Sequence, residues 1–297
     1  MVLDLAALRE LRAERSGAVA EAARKRRRRP FLDRSGRLML LAADHTARAV
    51  LGVQGRELAM ADRGELLCRL VVALSRPGVD GVLGTADILE DLLLLGALEG
   101  KVVIGSMNRG GLAGSSYELD DRFTGFDARM IKRMNFDGGK MLCRISFADH
   151  GTVATLEACG KAVSQLARRG LIALIEPFIS DSSGGRVTNL LTAEAFITSV
   201  SVASALGATS AYTWLKIPVV PGIERAVAAT TLPMLILGGD PGTAPEQTFA
   251  QWEHALALPG VRGLVAGRSL LFPPDDDVEH AVATAVGLVH GAPMAGR

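Results

Sequence analysis

A chain of 297 residues, 48% hydrophobic and 22% charged, is long enough to bury a large core. A net charge of +1 gives no global attraction to nucleic acid or to an anionic membrane. Three cysteines (Cys68, Cys143 and Cys159), odd in number and without a CxxC spacing, fit reduced thiols rather than a disulfide frame or a zinc site. With no apolar leader and no apolar run of membrane-spanning length, the expectation is a cytoplasmic protein with neither a membrane nor a nucleic-acid partner.

The chain opens with a helical pattern over residues 3–29, rich in Ala, Leu, Glu and Arg, that stops before Pro30. Its end carries the run Arg24-Lys25-Arg26-Arg27-Arg28-Arg29, which reads first as a solvated helix terminus, where cations suit the macrodipole. A nucleic-acid patch is the alternative, weakened by the lack of interleaved aromatics. The apolar helix itself suits either an interface or a plug for the bottom of the fold.

From there short apolar runs alternate with helical stretches. Strands are predicted at 38–43, 81–84, 102–106, 140–147, 171–177, 211–217, 233–238 and 263–266, with helical periodicity over stretches such as 151–169, 193–206 and 245–258. The strands are nearly continuous apolar runs, as expected of parallel strands covered on both faces. Eight βα units predict a single-domain α/β fold, a (β/α)8 TIM barrel, with residues 1–30 as a helical extension. A doubly wound open sheet is the rival, but no nucleotide loop follows the first strand. Residues 108–139, rich in Gly, Arg and Asp, exceed a normal connection and are expected to form a loop-plus-helix insertion over the barrel mouth.

Polar residues recur where such a barrel does its chemistry, at the C-terminal strand ends. They are Asp44-His45, Asn108-Arg109, Glu176, Gly238-Gly239-Asp240 and Gly267-Arg268. Lys216 is the most informative. It sits within the apolar run Ala211-Tyr212-Thr213-Trp214-Leu215-Lys216-Ile217-Pro218-Val219-Val220, at the end of the sixth predicted strand, in a chain with six lysines against 27 arginines. A buried ammonium is costly and tends to neutrality, and a neutral amine is a nucleophile that arginine cannot replace. Alone, Lys216 also fits a side chain snorkelling to solvent. Lys140, in Asp137-Gly138-Gly139-Lys140-Met141-Leu142, places a second cation where it would keep that amine partly neutral. Glu176 closes the apolar run 171–175 and either pairs with a cation, Lys140 or Arg144, or serves proton transfer. Asp44 reads as a site carboxylate or as a cap on the following helix. Gly238, Gly239, Gly267 and Arg268 follow the last two strands, the usual phosphate site of the fold, and read either as an anion cradle or as tight turns.

Taken together, Leu215-Lys216-Ile217-Pro218, Asp137-Gly138-Gly139-Lys140-Met141-Leu142, Ile175-Glu176-Pro177, Ala43-Asp44-His45 and Val265-Ala266-Gly267-Arg268 resemble the class I aldolases of the tagatose-bisphosphate and archaeal-type fructose-bisphosphate group, over residues 36–272. The resemblance implies a Schiff base on Lys216, proton shuttling by Glu176 with Asp44, a site lysine at Lys140, and phosphate or substrate binding by Gly238, Gly239, Gly267, Arg268 and His45. It implies no cofactor, no metal, a phosphorylated sugar as the small-molecule partner, and a homo-oligomer. Phe178 stands near where the archaeal branch has a tyrosine, which favours the arrangement built on Glu176. Asp240 is an acid where a phosphate would prefer none, and the 108–139 insertion departs from the common pattern. The sequence is most similar to a bacterial subgroup associated with inositol breakdown, which implies 6-phospho-5-dehydro-2-deoxy-D-gluconate as substrate. Fructose- or tagatose-bisphosphate cleavage and a non-catalytic sugar-phosphate-binding barrel are the alternatives. The five histidines form no close ligand pair, which disfavours a metal-dependent aldolase.

Overall fold

The computed structural model describes residues 4–239 and 245–291. Eight parallel strands close into a barrel: β1 (Leu38–Ala43), β2 (Gly81–Gly84), β3 (Val102–Ser106), β4 (Gly138–Ile145), β5 (Ile172–Asp181), β6 (Thr213–Ile217), β7 (Met234–Leu237) and β8 (Val261–Ala266). Each pairs with its neighbours in chain order, and β1 closes onto β8. This is the (β/α)8 architecture expected from the sequence. β4 begins two residues before the predicted start and stops at Ile145, so Asp137-Gly138-Gly139 introduces a strand instead of ending an insertion. β5 runs on to Asp181, where Ser180 and Asp181 pair antiparallel with the short segment Thr188–Asn189.

Helices α3 (Arg63–Ser75), α4 (Ala86–Leu94), α5 (Ala128–Arg133), α6 (Gly151–Ala167), α7 (Ala193–Ser204), α8 (Ile223–Val227), α9 (Pro245–Leu256), α10 (Arg268–Leu271) and α11 (Val278–His290) surround the barrel. Local chemistry sets several of their starts. Asp62, Asp127, Thr192 and Asp277 each accept a backbone N–H of the first turn of α3, α5, α7 and α11. No helix among the described residues is long and apolar enough to cross a membrane.

The N-terminal segment departs from its expected form. It makes two helices, α1 (Leu5–Glu14) and α2 (Ala18–Lys25), broken around Ser16-Gly17, followed by an extended strap. The basic run is not simply a solvated helix end. Arg26 reaches the carbonyls of Leu98 and Lys101, at 3.3 and 2.8 Å, and Asp137 at 3.4 Å. Arg28 donates twice to Asp137, at 3.0 and 2.6 Å, and Arg29 pairs with Asp80. Asp80 and Asp137 also accept the backbone N–H groups of Met39 and Val103. They sit directly before β2 and β4, so the strap lies across the N-terminal end of the barrel. Phe31 then packs edge-on against Trp214, centroids 5.2 Å apart, and adjoins the interior cluster of Leu38, Leu40, Leu83, Ile104, Leu174 and Leu235. The strap, rather than the apolar helix expected in that role, covers the barrel bottom.

Candidate active site

Side chains alternate along a strand, so every second residue of a barrel strand faces the axis. Read upward, the inward columns change character at the top. β1 presents Leu38, Leu40, Ala42 and then Asp44; β3 presents Val102, Ile104 and Ser106; β5 presents Leu174 and Glu176; β6 presents Trp214 and Lys216. Lys140 is the inward residue of β4. The apolar layers fill the barrel, and the last inward position of several strands is left to chemistry.

Four side chains picked out from the sequence meet there. Lys216 Nζ donates to Glu176 Oε1 at 2.6 Å, and Lys140 Nζ contacts Glu176 Oε2. Lys140 also lies 3.4 Å from Asp44 Oδ2, which accepts from Ser106 Oγ at 3.1 Å. Lys140 is fully buried and Lys216 is 5% exposed, so Lys216 does not snorkel to solvent. Nor does Asp44 cap the following 3-10 turn, because its side chain is engaged by Ser106, Lys140 and Arg109. Glu176 takes both lysines, while Arg144 goes to Asp121 instead, at 2.9 and 2.6 Å.

Electrostatics fix the protonation states. Burial would raise Glu176, but Lys140, Lys216 and Arg109 outweigh it and hold the carboxyl below its ordinary range. Burial likewise opposes ionisation of Asp44, yet Arg109 and Lys140 keep it well below the usual value. Lys140 is pushed down to about 8 by burial and by Arg109, against the pull of Asp44 and Glu176. The His45 imidazole is pushed down to about 3, chiefly by burial, with Arg268 and Arg109 adding to it against Asp44, so it is neutral near pH 7.

The glycines after β7 and β8 have a packing reason of their own. A Cβ on Gly267 would stand 2.2 Å from the Ala42 carbonyl and 3.2 Å from His45 Cε1; one on Gly238 would stand 2.8 Å from Ala266 Cβ. Gly239 has φ of +71°. These contacts bring Gly267, Arg268 and His45 together at one edge of the mouth, with Gly238 beside Ser269. His45 Nδ1 and Ser269 Oγ are buried there without a protein hydrogen-bond partner. Asp240 lies outside the described residues.

Sequence reasoning noted Arg109 at a strand end but did not place it in the site. Its guanidinium pairs with Asp44 and is 10% exposed. It arrives on residues 107–127, a segment clamped to the barrel rim. Asn108 bonds Leu142 N and O at 2.7 and 2.6 Å and the Asp121 carbonyl at 3.0 Å; Arg144 holds Asp121 and the Glu118 carbonyl; Arg48 holds Gly111 O and Glu118. Residues 107–127 form a long connection after β3, and the helix within the expected 108–139 range is α5, directly before β4. The available signal was an arginine three residues past the inward-facing end of β3 at Ser106. A cavity of about 900 Å3 lies outside the mouth, between this segment and α6, and none of Lys216, Glu176, Lys140 and Asp44 lines it.

The Cgl0159-like family model matches residues 36–286. The crystal structure of Cgl0159 from Corynebacterium glutamicum superposes with a TM-score of 0.94 at 52% identity, covering 96% of each chain. An archaeal fructose 1,6-bisphosphate aldolase superposes at 0.66 with 18% identity over 92% of this chain and 99% of that one. The fructose-bisphosphate aldolase of Slackia heliotrinireducens superposes at 0.62 with 16% identity over 96% and 92%. At such identities these two aldolases show a shared fold. No curated relative matches the sequence.

Proposed function

For this chain, which belongs to the Cgl0159-like family, we propose a class I aldolase activity that cleaves a phosphorylated ketose through a Schiff base on Lys216. The observation that carries the reading is the lysine–carboxylate–lysine bridge at the barrel mouth, Lys216 to Glu176 at 2.6 Å with Lys140 on the second oxygen. Glu176 accepts the proton of the Lys216 ammonium, and the free amine adds to the ketone carbon. Glu176 returns the proton to the carbinolamine oxygen, water leaves, and the protonated imine becomes the electron sink. Loss of the proton from the substrate's β-hydroxyl breaks the C–C bond, releases an aldehyde and leaves an enamine. Glu176 and Asp44, both held ionised, are the bases within the site. Protonation of the enamine and hydrolysis of the imine release dihydroxyacetone phosphate and restore Lys216. Lys140 offers a cation to substrate oxygens and to the carbinolamine. Gly238, Gly239, Gly267, Arg268 and His45 hold the phosphate and fix the ketone beside the amine. A structure of one archaeal-type neighbour carries its catalytic lysine covalently bound to the carbinolamine intermediate.

The sequence resemblance puts 6-phospho-5-dehydro-2-deoxy-D-gluconate first among substrates to assay, cleaved to dihydroxyacetone phosphate and malonate semialdehyde, with fructose and tagatose bisphosphates beside it. The deciding experiment is borohydride reduction in the presence of dihydroxyacetone phosphate, with the adduct mapped by mass spectrometry. The expected result is one adduct on Lys216, absent from Lys216→Met, which also loses turnover. An unmodified Lys216 in the wild type, or an active Lys216→Met, defeats the reading. Binding without adduct or turnover would mark a sugar-phosphate-binding barrel instead.

A further inference from the structure

We propose that Arg109 sets substrate specificity, by receiving a carboxylate at the end of the substrate remote from the phosphate, so that the aldehyde released is itself an acid. The proposal rests on the aldolase reading above and adds to it the residue that selects the second product.

Three observations lead there. The first is charge. Among the described residues that touch the reacting centre, Lys140, Lys216 and Arg109 stand against Asp44 and Glu176, and all five are nearly sealed from solvent. A buried site with one surplus cation is completed by an anion. The second is valence. Asp44 occupies Arg109 Nη2, while Arg109 Nε is buried with no acceptor, and Asp44 Oδ1 is buried with no donor. An open donor and an open acceptor on the same ion pair suit a ligand that brings an anionic oxygen and a hydroxyl together. With Nη2 on Asp44 and Nε open beside it, the guanidinium suits a planar monoanionic carboxylate.

The third is placement. In the strand order β4-β3-β2-β1-β8-β7-β6-β5, β3 lies four strands from β7 in either direction. Arg109 follows β3, so it faces the C-terminal end of β7 across the mouth, and Lys140, Glu176 and Lys216 lie on the arc between. A ketose held by its phosphate at the β7–β8 loops, with its carbonyl at Lys216, extends its other end toward Arg109. The clamp of Asn108, Asp121 and Arg144, together with the bond from Arg109 N to Thr124 Oγ1 at 3.3 Å, holds the backbone that carries Arg109, and Asp44 holds its guanidinium.

The test runs in the synthetic direction, with dihydroxyacetone phosphate and either malonate semialdehyde or the neutral 3-hydroxypropanal of equal length. The wild type is expected to favour the acid in kcat/KM by on the order of 10- to 100-fold, the range for one hydrogen bond to a charged group. Arg109→Gln is expected to slow both reactions, since Asp44 loses a partner, but to bring the acid-to-neutral ratio close to one. Arg109→Lys, which keeps charge without the fork, should keep part of the preference. An unchanged ratio in Arg109→Gln overturns the proposal, because a merely structural role lowers both rates together. A wild-type ratio near one overturns it without any variant, as does a preference for glyceraldehyde 3-phosphate over malonate semialdehyde. Failure of the aldolase reading is separate, since it shows as no borohydride adduct on wild-type Lys216 with dihydroxyacetone phosphate alone.

Discussion

Glu176 bridges two ammonium groups with one carboxylate, and the consequence for pH falls on Lys140. This lysine has no solvent exposure, and its amine is pushed down to about 8 by burial and the neighbouring Arg109. If its cation serves the carbinolamine oxygen, kcat/KM falls as pH rises through about 8. Lys140→Arg, which stays charged, is expected to move that alkaline limb upward; a limb at the same pH in this variant would assign it to another group. Stability moves oppositely. The folded value lies below the ordinary 10.5 of a lysine, so the unfolded chain binds the proton more tightly between about 8 and 10.5, and the cost of burying Lys140 is relieved as pH climbs through that window. Asp44 and Glu176 are depressed carboxyls. Their contribution is complete above their unfolded values and is lost as pH falls toward the folded ones. The pair of trends distinguishes a site that is weaker as a catalyst in alkali from a protein that is merely unfolding there.

At the scale of elements, the segment 107–127 is the part of the mouth that was least legible. Lys216, Glu176, Lys140 and Asp44 could be read in advance because each interrupts or directly ends a nearly continuous apolar run. In a strand, sequence position fixes which way a side chain points. Arg109 sits just past a strand, where alternation gives no direction. Its orientation comes from Asn108, Asp121 and Arg144, contacts made 13 to 34 residues apart along the chain. The extent of β5 was missed for a similar reason: its last residues are held by pairing with Thr188–Asn189 rather than by their own pattern. Arg144→Met tests the clamp. It leaves Asp121 buried without its guanidinium, a loss of about 3–5 kcal/mol by the usual cost of breaking a buried pair. The expected outcome is faster amide exchange and proteolysis confined to 108–127, with a lower acid-to-neutral aldehyde ratio while the Lys216 adduct persists. Exchange that rises evenly over the barrel would show that the pair supports the whole fold instead of this segment.

At the scale of the molecule, the two ends of the barrel divide the labour, and the basic run shows why local reading stopped short. Six consecutive cations at a helix end suggest solvent, yet the acceptors of Arg29 and Arg28 lie 51 and 109 residues further along the chain, invisible to any local pattern. Asp137 is the hinge of that arrangement. It is nearly sealed from solvent and takes Arg26, Arg28 and the backbone N–H of Val103, so it ties the strap to β3 and introduces β4 at once. Asp137→Ala would leave the Arg26 side chain, with no exposure, short of its counter-ion, and would leave a buried N–H unpaired. The expected loss is about 3–5 kcal/mol, read as a lower denaturant midpoint with an unchanged slope. The folded fraction should still trap dihydroxyacetone phosphate on Lys216 at the wild-type rate, because the apolar layers of the barrel stand between Asp137 and the mouth. A variant as stable as the wild type would show that the strap rests on Phe31 and Trp214 packing alone. A variant that folds but traps slowly would show that the bottom plug sets the geometry of the top, and that stability and chemistry in this barrel are coupled through its core.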